Sequence, residues 1–247
     1  MKKFLTFILV LFAVSSISLA KVQVGIGVKG GACFGKWNNY FLKHNLSTVG
    51  GTHNSQIGAT GGLQGRVWFN KFIGLNLAAE FNMDGNIGKF QNNTKIFTRN
   101  TRLNQLTLAV NATPGWGNER VRVFGIVGGY FGYIISGKEK ATLKTNTENT
   151  LLYDEKANFD SVYNRIDAGI RLGLGAQIYV SKNLKHSITF ELTYDFGMLK
   201  TFKNQIYPYN DKYKIQNSKT LLSVGYMFNL GKSQSEEAPA SRKAKKK

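Results

Sequence analysis

Ten ionisable residues fall on the polar parity of otherwise apolar, alternating segments: Lys29, Arg66, Arg120, Arg122, Arg171 and Lys185, with Glu80, Asp167, Glu191 and Asp195. If that parity faces an enclosed space, the chemistry available is ion pairing, because an unpaired ion in a low-dielectric interior is strongly disfavoured. A proton or solute path along the same charges is the alternative use. A tight turn at residues 181–183 predicts pairs summing to 364, so that Arg171 faces Thr193 and lies diagonal to Glu191 and Asp195, within reach of long side chains.

Nucleophilic chemistry is poorly furnished. The chain has three histidines. His44 and His53 share the first long loop with Ser47 and Ser55, but that loop holds no Asp or Glu to orient an imidazole. His186 and Ser187 are neighbours on a strand pattern, so they point to opposite faces and cannot pair directly. Residues 25–30 fit G-x-G-x-x-G, yet they sit inside a strand pattern and open no helix, which removes the nucleotide-binding reading. The single Cys33 excludes an internal disulfide, and with no Cys/His cluster no metal is expected. No cofactor is expected either.

The elements that must position these residues are strands. Residues 22–28, 56–69, 72–83, 103–114, 120–135, 165–180, 184–198 and 221–230 alternate apolar with small or polar side chains. In residues 72–83, Ile73, Leu75, Leu77, Ala79, Phe81 and Met83 oppose Gly74, Asn76, Ala78, Glu80 and Asn82. Residues 120–135 alternate least well, because Phe124 and Ile126 share the parity of Arg120 and Arg122. The links alternate too: 37–55, 85–101, 137–164 and 201–219 are long and polar, whereas 70–71, 115–119 and 181–183 are tight. An even strand count with short turns at one end and long loops at the other is the layout of an outer-membrane barrel.

A soluble β-barrel would alternate as well, but it would carry its charges on the outside. Here one face is continuously apolar, and the other is Gly, Asn, Gln, Thr and ions of both signs. Aromatic residues collect near the segment ends as two expected interfacial girdles. Phe69, Phe72, Trp116, Tyr179 and Phe228 fall at the turn end, and Phe34, Phe81, Phe131, Tyr133, Tyr194 and Phe196 toward the long loops. The predicted fold is therefore all-β, an eight-stranded antiparallel up-and-down transmembrane β-barrel over residues 21–231. Residues 1–20 carry Lys2 and Lys3, an apolar core and a Ser18-Leu19-Ala20 end, the three parts of a secretory signal peptide. Residues 232–247 hold six basic and two acidic residues and are expected to be a disordered basic periplasmic tail.

With the Gly-rich RIDAGIRLGLG of residues 165–175 and the closing SVGYMFNLG of residues 223–231 in view, the chain resembles the PorT-like outer-membrane barrels common in the Bacteroidetes. The resemblance implies a Gram-negative outer membrane, and the layout of short turns and long loops puts both termini on the short-turn, periplasmic side. Some members of that family serve type IX secretion. Tyr226-Met227-Phe228 resembles the terminal aromatic signal of barrel assembly, although residues 232–247 extend beyond it.

A formal charge of +19 raises nucleic acid as a partner, but the basic residues are scattered over loops without an aromatic platform, and nucleic acid is not expected. The expected partners are outer-membrane lipid, lipopolysaccharide met by loop residues such as Lys36, Lys43, Lys95, Arg99, Lys212 and Lys214, and proteins of a secretion or assembly complex. An eight-stranded barrel is just wide enough for its own side chains. The function read from the sequence is thus a non-enzymatic anchor or interaction module with a plugged polar interior. A narrow channel for small solutes and a lipid-modifying barrel enzyme are the alternatives.

Overall fold

The computed structural model describes residues 22–38, 51–92, 94–118, 120–146, 148–203 and 215–230. The expected signal peptide, the basic tail, His44 and Ser47 lie outside the described residues. Among the described residues the strands are β1 (Gln23–Asn38), β2 (Gly51–Trp68), β3 (Ile73–Asn92), β4 (Lys95–Gly117), β5 (Val121–Thr145), β6 (Asn149–Lys156), β7 (Ile166–Tyr179), β8 (His186–Lys200) and β9 (Gln216–Asn229). Consecutive strands β1 to β5 pair antiparallel, β5 continues to β7, β7 to β8, β8 to β9, and β9 closes on β1. Eight strands thus form a closed up-and-down ring, and β6 stands beside it, paired to residues 138–144 of β5. Closure leaves no ladder edge inside the ring, the condition for crossing a bilayer with strands.

Parity sorts the faces. Leu63, Leu108 and Leu174 on the outside are each more than 60% exposed, while Arg66 and Arg171 on the inside are 1% exposed. On β3 the outward residues from Ile73 to Met83 are apolar, a span of about 25 Å once a rise of ~3.3 Å per residue is tilted by about 40°. That matches the thickness of a lipid-facing band.

Two expected loops are largely strand. Residues 85–92 and 95–101 continue the β3–β4 ladder as far as the Asn92–Lys95 pair, and 137–145 with 149–156 form the β5–β6 hairpin. Their apolar alternation vanishes because the outer face of a sheet beyond the bilayer meets water instead of lipid, so polar residues of both parities, buried Asn86 and Thr101 included, are accepted while the backbone ladder continues. The register after β7 also differs from the expectation: Arg171 pairs with Asp195, not with Thr193. The connection is a longer loop, in which Val180 N–H donates to the His186 carbonyl (2.9 Å) and Leu184 adopts φ of 55°. Residues 181–185 therefore all belong to the turn.

Glycines make the seam between the first and last strands. A Cβ on Gly27 would run into the Tyr226 carbonyl, and one on Gly31 into the Leu222 carbonyl. On the outer face of β2, a Cβ on Gly61 would find nothing nearer than the Lys29 carbonyl at 3.5 Å. The Gly27→Ala/Gly31→Ala protein is therefore expected to lose about 1–3 kcal/mol of stability by overpacking, whereas Gly61→Ala stays within about 0.5 kcal/mol. Heat-modifiable gel mobility and denaturant titration after refolding into lipid measure both, and equal behaviour of the two proteins would refute the seam argument.

Candidate functional site: a lumen filled by paired charges

Strand parity and ring closure bring charges from five strands to the middle of the lumen. Arg66 of β2 binds Glu191 of β8, and Glu191 also takes Lys29 of β1 at 3.1 Å. Lys29 reaches Glu80 of β3 at 2.6 Å. Arg171 of β7 donates through Nη1 and Nη2 to both Glu80 oxygens (2.7 and 2.8 Å) and through Nε and Nη2 to both Asp195 oxygens (2.6 and 2.8 Å). The result is a continuous chain, Arg66, Glu191, Lys29, Glu80, Arg171, Asp195, of three cations and three anions. None of these side chains is more than 6% exposed, so each charge meets its counter-ion rather than water.

Next along the lumen lies a second cluster, of whose ions sequence reasoning named Asp167 and missed Lys219 and Asp84. Lys219 of β9 sits 3.6 Å from Asp84 and 3.7 Å from Asp167, and donates to Gln105. Asn217 Nδ2 donates to Asp84 (2.8 Å), and the Tyr130 hydroxyl donates to Asp167 (3.2 Å). The signal was available, since Lys219 shares the parity of lumenal Leu221 and Ser223, and Asp84 that of Glu80 and Asn82. With Arg122, the lumen of the described residues holds five cations and five anions.

Apolar and stacked groups close both ends. At the turn end Trp68, Phe124 and Ile126 pack together, with the Arg66 guanidinium 4.2 Å over Phe124 and that of Arg122 4.2 Å over Trp68. Trp68 Nε1 donates to Gln177 (3.1 Å), and the Tyr179 hydroxyl to Gln23 (2.9 Å). The poor alternation of β5 has its explanation here: Phe124 and Ile126 face inward because they form the seal. At the hairpin end Trp37, Leu103, Ile134, Ala157, Phe159 and Tyr163 form a second apolar cluster, onto which Phe202 packs. Phe202 meets Trp37 edge-on at 4.9 Å and Tyr163 at 5.0 Å. Arg99 Nη2 donates to both Glu139 oxygens (2.9 and 3.1 Å) and to the Tyr163 oxygen (3.2 Å), and Tyr163 donates to Glu139. Burial lifts the Tyr163 phenol well above its ordinary range, so it remains a donor there.

Lys29, Arg66, Glu80, Arg122, Asp167, Arg171, Glu191 and Asp195 all face the lumen. Arg120 and Lys185 do not. Asn118 Oδ1 accepts from the Arg120 and Val121 amides (2.9 and 2.8 Å), so Arg120 is an exposed turn residue before β5 begins. Lys185 is exposed in the turn before β8, where its amide donates to Asn183 Oδ1 (3.2 Å). Arg122 is lumenal but stacks on Trp68 instead of joining the carboxylate chain.

Phe72, Trp116 and Phe228 are exposed on the outside at the turn end, with Phe69 half-buried in a turn. Phe131, Tyr133, Tyr194 and Phe196 are exposed, and Phe34 and Phe81 half-buried, on the outside at the other end. Tyr179 leaves the girdle: its parity on β7 is that of Gln177, and it points inward. His186 faces outward with Nδ1 at 2.5 Å from the Tyr226 hydroxyl, while Ser187 faces the lumen and accepts from Gln177 (2.9 Å).

The family described as outer membrane protein beta-barrel domain matches residues 18–203. Among solved structures, the chain is similar to a major outer membrane protein from Thermus thermophilus, at 13% identity over 85% of this chain and 99% of that one, with a TM-score of 0.46. Neisserial surface protein A (NspA) matches at 11% identity over 82% and 96%, with a TM-score of 0.39. Ail, the attachment invasion locus protein of Yersinia pestis, matches at 15% over 83% and 98%, with a TM-score of 0.35. No curated protein matches the chain.

Because Arg171 holds two carboxylates, Arg171→Met is expected to cost about 3–5 kcal/mol by leaving Glu80 and Asp195 with too little counter-charge. Adding Glu80→Gln and Asp195→Asn should recover most of that loss. Unfolding in denaturant after refolding into lipid measures both, and an Arg171→Met protein as stable as the parent would contradict the network.

Proposed function

Because the chain belongs to the outer membrane protein beta-barrel domain family, whose setting is the Gram-negative outer membrane, we propose that it is a sealed, non-enzymatic anchor and interaction module. In this reading it is an accessory of a type IX-like secretion or outer-membrane assembly complex, as some of the PorT-like barrels that it resembles are. The observation that carries the reading is the lumen: a balanced charge chain in the middle and an apolar seal at each end. In this reading the interior is closed and its ions are held by buried partners, which leaves the rims and outer wall as the surfaces for partners.

The short turns and the ends of the barrel, near Gln23 and Asn229, lie together, and in a barrel of this layout that end is periplasmic. The long β3–β4 and β5–β6 hairpins then stand outside the cell. Impermeant maleimide is expected to label a Lys95→Cys protein on intact cells, and a Lys71→Cys protein only after permeabilisation; the reverse pattern would invert the topology. Native Cys33 is 0% exposed and stays silent in this assay.

Planar-bilayer recording of the refolded chain is expected to give no steady open level, and a stable large conductance would overturn the sealed lumen. Copurification from native outer membranes should return a large complex. A lone monomer that turns over lipid would instead favour the enzymatic reading.

A further inference from the structure

Just above the apolar band, three basic residues stand side by side on the outer face of adjacent strands. Arg102 of β4 is the direct partner of Lys138 of β5, and Lys138 is the direct partner of Lys156 of β6. Like charges placed directly opposite one another in a ladder are destabilising, so folding alone does not favour this row. One position further out, Lys140 lies between Asn100 and Asp154, and Lys144 follows opposite Ile96. Asp154 is the acid on this patch, opposite Lys140 and bound to Lys138 at 2.9 Å, against the five basic residues Arg102, Lys138, Lys140, Lys144 and Lys156.

The row exists because of a bulge. Up to Ile134 the even residues of β5 face the lumen, and the ladder to β4 shifts between Asn104 and Gln105, where Ile135 is the extra residue. Parity then inverts: Glu139 and Ala141 turn inward, and Lys138, Lys140 and Lys144 turn outward. Without the bulge Arg102 would face Gly137, and Lys138 would point toward the lumen. Immediately below the row, Asn104 donates to Ser136 (2.9 Å), and beneath that pair Leu106, Phe131 and Tyr133 face the bilayer. A basic row two same-face pairs above Tyr133, with the Asn104–Ser136 pair between, stands at headgroup depth, with chain-compatible wall below it.

We propose that the outer face of β4, β5 and β6 is a binding site for a phosphorylated lipid headgroup, held by Arg102, Lys138 and Lys156, with its acyl chains against Leu106, Phe131 and Tyr133. Arg102 offers the planar donor fork suited to a phosphate, and the lysines supply point charges on either side of the bulge. The orientation proposed above decides only that the lipid comes from the outer leaflet; binding in a symmetric bilayer does not depend on it.

The test uses the full chain refolded into phosphatidylcholine nanodiscs doped with diphosphorylated lipid A or with its dephosphorylated counterpart, and reads lipid retained on the purified protein by mass spectrometry. The parent should retain the phosphorylated lipid selectively. An Arg102→Gln/Lys138→Gln/Lys156→Gln protein should bind it roughly a hundredfold more weakly, from three basic side chains at the bilayer surface. A Lys71→Gln/Lys182→Gln/Lys185→Gln protein, which loses as many exposed charges in the short turns at the other end, should bind like the parent. Heat-modifiable mobility confirms that each protein is folded, and Lys138→Gln alone, expected to give an intermediate loss, serves if the triple variant does not fold. Equal retention of both lipids, an equal loss in the control protein, or displacement of the lipid by millimolar inorganic phosphate would each overturn the site as a lipid site.

Discussion

The width of an eight-stranded ring governs the rest of this molecule. Such a ring leaves an interior that side chains just fill, and the lipid around it accepts no hydrogen bonds. An ion that enters the lumen therefore finds a counter-ion there or, like Arg122 over Trp68, a ring. Arg171 does so twice, with Glu80 on the facing wall and Asp195 on the neighbouring strand. Pairs of this kind are not strong evidence of added stability, because apolar replacements of equal volume often serve as well. What they contribute here is register. The chain from Arg66 to Asp195 joins β1, β2, β3, β7 and β8, and a slip of one residue in any of these would turn a charge into lipid.

The same confinement explains the division of the lumen into layers. Charges occupy the middle, where carboxylates from opposite walls can share one guanidinium. Aromatic rings occupy the ends, and Arg66 and Arg122 bridge the two kinds of layer at the turn end by lying over Phe124 and Trp68. A guanidinium is suited to that position because it stacks on a ring while its edge still donates. Arg66 does both, facing Phe124 and reaching Glu191.

Period-two alternation carries fold information only where the two faces of a strand meet different surroundings. Between Ile73 and Met83 one face meets lipid and the other a polar lumen, and the strand, its direction and its inward residues are all legible. Beyond Asp84 the outer face meets water instead of lipid, so polar residues take both parities and the hairpins of β3–β4 and β5–β6 could not be told from loops. Turn details fail for a different reason. Whether Lys185 points inward depends on how many residues the connection consumes, and that is set by hydrogen bonds of Asn183 and the positive φ of Leu184, which leave no hydrophobic trace. Arg120 follows the same rule, because the Asn118 side chain ends the turn one residue later than parity suggests. Tyr179 illustrates a third limit: residue type argued for the girdle, while parity with Gln177 argued for the lumen, and parity won.

Bulges are how this chain changes its surroundings without leaving the ladder. The extra residue at Ile135 inverts β5 where the bilayer ends, so that one strand supplies Phe124, Ile126 and Tyr130 to the lumen below and presents lysines outward above. The inversion also delivers Glu139 to Arg99 and Tyr163, which ties the hairpin sheet to the apolar seal over the mouth. β2 carries a comparable shift between Ser55 and Thr60, again near the upper edge of the apolar band. The transition from a wall dictated by lipid to a surface free to meet partners is thus made within single strands. A barrel that continues its ladder past the membrane joins that surface to the lumenal network, so β4 and β5 of the proposed rim site pair with β3 and β7, which the buried charges keep in register.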